Sequence, residues 1–426
     1  MIEPSPPRFA LGRTGLWADM AREREILAAQ TRVGHALNAH VQAAGPRIFS
    51  DMPGVPAAAG VTSRLQVFEA RQLFDQALAD ERPLLHELAN GELPLAVIDY
   101  LGNWLTPGVI EILQRRYAYD QAIGTFQLYR PVAVGSAQAL PGGPLTTGGL
   151  TLSAWHLAAP VGATYEPGAT LALSLVWERA ATLDASQPLS VTLELQTPDG
   201  YPLLTNERPL LYGVYPPQQW LVATPIQHMQ PLVLPAELPA GNYQLAVGLR
   251  TANEPWLAPQ TITNLTVDTL GGMHFAATDR FVPARLLHAW AELGGTERIG
   301  LPLTPLVPFA WGHLQCFEYA CLEVRNNTIQ LRDLGAALYL AETRRSTTCL
   351  DGLAAAQQLC PDFRSAPEQY PRLGAPVSGA FERNGWIVQW TSTSRLERAP
   401  TSTQINLGRL GDESLRLAPG MSYRWP

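Results

Sequence analysis

Three runs decide the fold: Leu171-Ala-Leu-Ser-Leu-Val-Trp177, Leu189-Ser-Val-Thr-Leu-Glu-Leu195 and Tyr243-Gln-Leu-Ala-Val-Gly-Leu249. Each is short and rich in β-branched and large apolar residues. Each is bounded by turn formers such as Pro198-Asp199-Gly200. A helix needs apolar residues every three or four positions, and these runs show a period of two or none, so they read as strands. Strands of this length with tight turns between them predict an antiparallel β-sandwich over 151–270.

Outward on the N-terminal side, residues 131–150 lose all periodicity and fill with Gly, Pro, Ala and Thr, so they are expected to be a linker. Before it, 16–130 alternates between helix and strand. Leu16, Met20, Leu27, Leu37 and Val41 fall on one helical face. The strand Arg47–Asp51 stops at Met52-Pro53-Gly54. Helices over Gln66–Ala79 and Pro83–Ala89, a strand Leu95–Tyr100, a helix Thr106–Arg116 and a strand Thr125–Tyr129 follow. Strand–helix–strand order predicts a small parallel, Rossmann-like α/β sheet. Residues 1–15 form an N-terminal extension with neither the apolar segment nor the charge pattern of a signal peptide.

On the C-terminal side, 271–426 contains a duplication. Gly300-Leu-Pro-Leu-Thr304 matches Gly374-Ala-Pro-Val-Ser378, Gln315 matches Gln389, and Leu322-Glu323 matches Leu396-Glu397, all at a spacing of 74 residues. Leu334-Gly335 matches Leu410-Gly411 at 76, a drift that one loop insertion absorbs. Two α+β units are expected, about 271–346 and 347–426, the first preceded by a helix Ala284–Leu293. The fold class is therefore multidomain and mainly β: a small α/β domain, a sandwich, and a duplicated α+β domain.

Composition bounds function. The 426 residues carry 37 acidic and 30 basic side chains, every basic one an arginine, for a net charge of −7. This disfavours nucleic acid as a partner. Apolar runs reach only about half the ~20 residues a spanning helix needs, so no transmembrane segment is expected.

No nucleophile elbow, phosphate-binding loop, dinucleotide fingerprint or zinc-protease motif occurs, so no catalytic residue, metal or cofactor is expected. Weak candidates remain. Asp51 ends a strand where α/β folds hold ligands, although an aspartate there more often caps the next turn. Asp99, Tyr100, Asn103 and Trp104 follow a strand at the same sheet edge. Among the eleven tryptophans, most belong to the core, but Trp220, Trp256 and Trp311 lie near Pro- or Gly-rich turns and are candidates for stacking on sugar rings. Arg115-Arg116 reads as a solvated helix end.

Four cysteines, all in the last domain, form local couples. Cys316 and Cys321 would face each other across a hairpin base, and Cys349 and Cys360 flank a short segment. Two disulfides and an oxidising compartment are the favoured reading; four reduced buried thiols or a zinc site are the alternatives.

Arg47-Ile-Phe-Ser-Asp51, Leu95-Ala-Val-Ile-Asp99 and Thr125-Phe-Gln-Leu-Tyr-Arg-Pro131 resemble the soluble region after the last membrane helix of bacterial GT-C glycosyltransferases of the dolichyl-phosphate-mannose-protein mannosyltransferase type. The sandwich, through Trp177, Pro198-Asp199-Gly200, Trp220 and Leu238–Leu249, is similar to modules that follow the membrane part in enzymes of Chloroflexus-like bacteria. Trp290, Gly294-Gly295, Ile299–Pro302, Gln315, Phe317-Glu318, Leu322-Glu323 and Leu334-Gly335 resemble LGFP-type repeats of extracellular proteins. In GT-C enzymes the catalytic acid sits between early membrane helices, and these have no counterpart here. The resemblance therefore implies location and association rather than glycosyl transfer: an extracytoplasmic, membrane-associated accessory or binding module for envelope glycan or a membrane protein. The alternatives are a glycosyltransferase or glycoside-processing enzyme with its site near Asp51 and Asp99, or a structural assembly subunit.

Overall fold

The computed structural model of the chain describes residues 31–64, 67–99, 105–159, 163–183, 187–251, 255–340, 342, 346–350, 358–370 and 372–416. It is a multidomain, mainly β architecture with scattered helices.

The first domain holds β1 (Arg47–Ser50), β2 (Thr62–Ser63), β3 (Ala96–Ile98), β4 (Tyr117–Ile123) and β5 (Phe126–Pro131), in sheet order β2-β1-β3-β5-β4. β1 runs parallel to β2 and β3, as expected, but β5 pairs antiparallel with both β3 and β4, so the sheet is mixed. The cause lies at the end of the helix Pro107–Arg116. Tyr117 is already extended, so the helix passes into β4 without a loop, and a two-residue turn with Gly124 in the left-handed region folds β5 back. β4 escapes sequence reading because all seven of its residues are buried, which removes any alternation, and Asp120 and Gln121 interrupt its apolar run. Tyr117 and Tyr119 pack inward, while Ala118 and Ala122 join a cluster with Leu334 and Leu338 of the last domain.

The sandwich stacks a four-stranded sheet, including Leu150–Leu157 and Leu173–Arg179, on a five-stranded one, including Ser190–Gln196 and Gly241–Arg250. All pairs in these two sheets are antiparallel except Thr164–Tyr165 on Pro255–Val267. The expected linker is part of the sandwich. Leu145–Thr147 pairs with Leu150–Leu157 as an edge strand, Gly135 N–H donates to Leu157 O at 3.0 Å, and Gln138 bridges Trp155.

The duplicated domain forms two four-stranded meanders with matching registers. Val307 faces Leu314 as Phe381 faces Val388, and Gln315 faces Leu322 as Gln389 faces Leu396. The two extra residues fall in the turn between Arg395–Arg398 and Asn406–Leu407. The repeated Gln has a repeated task. Gln315 Nε2 donates to Thr304 O at 3.0 Å and Gln389 Nε2 to Ser378 O at 2.9 Å. Thr304 Oγ1 accepts from Cys316 N–H, and Ser378 Oγ from Trp390 N–H.

The two copies also clasp each other. Ala336 N–H, in the short helix after the first meander, donates to Ser392 O in the second copy's hairpin. Asp412 N–H, in the helix after the second meander, donates to Glu318 O in the first copy's hairpin. Gly335 and Gly411 sit at these crossings, where an added Cβ would lie 2.2 Å from Thr391 O and 1.8 Å from Phe317 O. The units are thus halves of one pseudo-twofold domain rather than beads on a string.

Among the described residues no helix is long and apolar enough to cross a membrane.

Candidate functional site

Asp51 and Asp99 do meet, at the ends of the parallel strands β1 and β3. Asp51 is fully buried, and its carboxylate accepts the backbone N–H of Asp99 at 2.9 and 3.1 Å. That arrangement ties one strand end to the next, so the capping role weighs more than a ligand role. Tyr100, Asn103 and Trp104 lie outside the described residues.

The three tryptophans do not form a platform. Trp220 is buried and its indole N–H donates to Tyr215 O at 2.7 Å, contrary to the expectation of exposure, because the adjacent Pro-rich turn folds inward over it. Trp256 is half-buried, with Gly148 so close to its ring that a Cβ would lie 1.9 Å away. Trp311 stacks on Phe309 at 5.1 Å and carries the Arg325 guanidinium 4.1 Å from its ring centre. Arg116 is not a solvated helix end either. It is 4% exposed and donates to the carbonyls of Ala89 and Asn90 in its own domain, and to Gln227 Oε1 of the sandwich at 3.5 Å, so it joins the two. Both cysteine couples are bridged, Cys316 to Cys321 and Cys349 to Cys360, with Cα separations of 4.0 and 5.4 Å. Among the described residues no group of His, Cys, Asp and Glu could hold a metal ion.

A cavity among the described residues lies elsewhere. A cleft of about 600 Å³ opens between the sandwich and the duplicated domain. One wall comes from Thr164–Tyr165 and the turn after it, together with Leu232–Val233 and Pro235–Glu237; the other comes from the hairpin Met273–Phe275/Arg280–Val282 and from Pro305–Pro308. Two contacts fix the walls together. Glu166 Oε1 accepts the backbone N–H of Gly272 at 2.9 Å and of Ala284, the first residue of the helix Ala284–Glu292, at 3.2 Å. The Phe281 ring packs against Gly168 and Gly272, where an added Cβ would come within 3.0 and 2.3 Å of it. The absence of side chains at those glycines is what lets the domains approach.

The polar lining is sparse. The Tyr165 hydroxyl is buried without a hydrogen-bond partner, and burial pushes its pKa up to about 12, so it stays protonated and able to donate. His274 Nε2 lies 3.0 Å from the exposed Asp279 carboxylate. His313 and Glu237 stand at the rim, both exposed. Arg280, Thr164 and Thr170 also line it, the Arg280 guanidinium donating to Leu303 O and Asp279 O, and most of the rest is apolar, with Leu157, Leu171, Leu234, Pro283 and Phe281 among its residues. An apolar pocket of this size with a few convergent hydrogen-bonding groups suits a small, uncharged, hydroxyl-bearing ligand. Sequence reading missed it because its walls come from segments far apart in the chain, Glu166 and Gly272 at their junction being 106 residues apart. The only local signal was the cluster of polar residues in the Tyr165–Gly168 and His274–Arg280 turns.

No protein-family model matches this chain, and no curated protein matches it. Among solved structures, the C-terminal domain of Wzt aligns over 30% of this chain and 77% of that one, at 13% identity and a TM-score of 0.21. A putative beta-galactosidase from Bacteroides fragilis aligns over 33% of this chain and 18% of that one, at 10% identity and a TM-score of 0.15. A beta-D-mannosidase from Dictyoglomus thermophilum aligns over 37% and 16%, at 14% identity and a TM-score of 0.18. Likenesses this slight carry no argument about function.

Proposed function

We propose that this protein is a non-catalytic, extracytoplasmic binding module that holds a short neutral stretch of envelope glycan in the cleft between its sandwich and its duplicated domain. The observation that carries this reading is a largely apolar cleft of about 600 Å³ with the unpartnered, protonated Tyr165 hydroxyl buried in its wall. Leaving such a donor dry costs about 1–3 kcal/mol, which a ligand hydroxyl would recover. Sugar rings offer both the hydroxyls that Tyr165, His274, His313 and Glu237 can bond and the C–H faces that pack on apolar walls. Binding rather than turnover is favoured because Glu166, at the junction of the walls, is engaged by two backbone amides, while Asp279 is exposed and paired with His274. The two disulfides support an oxidising location, and the proposed kinship to the soluble tail of a membrane glycosyltransferase would put the module at a membrane.

The test is retention on neutral cell-wall and exopolysaccharide oligosaccharides in a glycan array, followed by calorimetry with Tyr165→Phe and His274→Ala. Each variant is expected to weaken binding about tenfold. Absence of retention on every neutral oligosaccharide, or binding indifferent to both substitutions, would overturn the reading.

A further inference from the structure

A second site is built where the two copies of the duplicated domain meet. A small groove there, with a volume of about 20 Å³, is lined by equivalent residues from both copies: Arg298 and Arg372, Ile299 and Leu373, Ala320 and Ser394. The first and second members of each couple are 74 positions apart, so the pseudo-twofold relation brings both arginine residues to the lining of one groove. Among the described residues neither arginine forms an ion pair, although Arg395, Arg398 and Arg409 of the same domain all do. Arg298 lies over the Tyr370 ring at 5.8 Å, and the Tyr370 hydroxyl is anchored on Ile405 O at 2.7 Å, so the platform under that guanidinium is fixed. Arg372 has a φ of 64°, a left-handed conformation that costs a non-glycine residue energy and that persists only where its surroundings impose it. The Glu318 carboxylate, close by in the first copy's hairpin, is engaged by Leu301 N–H and Arg409 and does not neutralise the pair.

From this we infer an oxyanion site: the groove takes a phosphate group, held between Arg298 and Arg372, with the side-chain hydroxyls of Tyr319 and Ser394 as further donors at its wall. Two guanidiniums present planar forks matched to phosphate oxygens. The natural source is either free phosphate or the phosphodiester of an envelope polymer, and both offer the same tetrahedral anion. The site is independent of the cleft, since no residue lines both.

The test uses the full chain with arginine side chains isotopically labelled. Inorganic phosphate, and separately a glycerol-phosphate oligomer, are titrated at constant ionic strength with chloride as the control anion. Saturable shifts of the Arg298 and Arg372 Nε–Hε signals with phosphate and not with chloride are expected. Arg298→Gln and Arg372→Gln should each weaken phosphate binding about tenfold, and Arg285→Gln, away from the groove, should leave it unchanged. Tighter binding of the oligomer than of inorganic phosphate identifies the polymer as the source; equal binding identifies the free anion. No saturable response to either probe, or a response that survives in the double variant, overturns the inference. Loss of glycan binding in the cleft would not touch it.

Discussion

His228 shows how much one buried side chain can carry. It lies in the sandwich with no exposed surface; its Nδ1 accepts the N–H of Leu211, and its Nε2 lies 3.1 Å from Gln230 Oε1. Those partners require a neutral ring protonated on Nε2, because Leu211 N–H needs an acceptor and Gln230 Oε1 needs a donor. Leu211 and Tyr212 both have positive φ, so the histidine holds a strained turn in place, helped by the Tyr212 hydroxyl donating to Met229 O. Burial lowers the His228 pKa from 6.5 to about 4. A histidine whose folded pKa is depressed takes up protons more readily when unfolded, so its contribution is complete above pH 6.5 and is lost as pH falls towards 4. The expected loss is about 3 kcal/mol across that window. Urea melts of the wild type and His228→Gln at a series of pH values check it: the variant should be less stable at neutral pH and should lack this part of the pH slope.

At the scale of elements, the decisive contact is the crossing of each short helix over the other copy's hairpin. Gly335→Ala or Gly411→Ala forces a methyl group into a backbone carbonyl, and each is expected to destabilise the duplicated domain by about 1–3 kcal/mol or more, read as a fall in Tm. A melting temperature unchanged in both variants would contradict the crossing geometry. These glycines also show what was legible in advance. The duplication could be counted because its Gly, Gln, Thr/Ser and Leu-Gly positions carry backbone duties that admit few substitutes. That the Leu-Gly couples reach across to the other copy was not legible, since nothing local distinguishes a contact within a unit from one between units. The sandwich strands were readable because each is a short, largely apolar run bounded by turn formers, even where, as in Leu173–Trp177, every residue is buried. β4 was not, because the buried Asp120 and Gln121 interrupt its apolar run and no turn former separates it from the helix Pro107–Arg116. The cleft could not be read at all, being a product of domain placement, and Trp220 was misplaced because proximity to prolines says nothing about which way a turn folds.

The whole molecule is held by shared charge as well as shared core. Asp120 sits at a bulge in β4, where the register slips between Tyr119 and Gln121, and its carboxylate pairs with Arg130 of its own domain and Arg332 of the duplicated one, both at 2.8 Å. Burial alone would raise its pKa, but the two guanidiniums outweigh burial and hold it below the ordinary range. Its stabilisation is therefore present above the ordinary carboxylate pKa near ~4 and is lost only as pH falls through the lower folded value. Asp120→Asn takes its anion from the half-buried Arg130 and leaves the buried Arg332 only the Glu323 carboxylate, at 3.8 Å, and should cost about 3 kcal/mol. By calorimetry the wild type should unfold in one transition, and this variant should separate the duplicated domain as an earlier one. A wild type that already melts in separate steps would refute the coupling.

The reciprocal clasp has a historical corollary. A lone ancestral copy would have been born with its helix lacking a hairpin to rest on and its hairpin lacking a helix, and the nearest supply of both was a sister polypeptide. Joining two such genes end to end would turn an encounter between strangers into a permanent tether, and a seam once shared by identical partners would become free to diverge on either side.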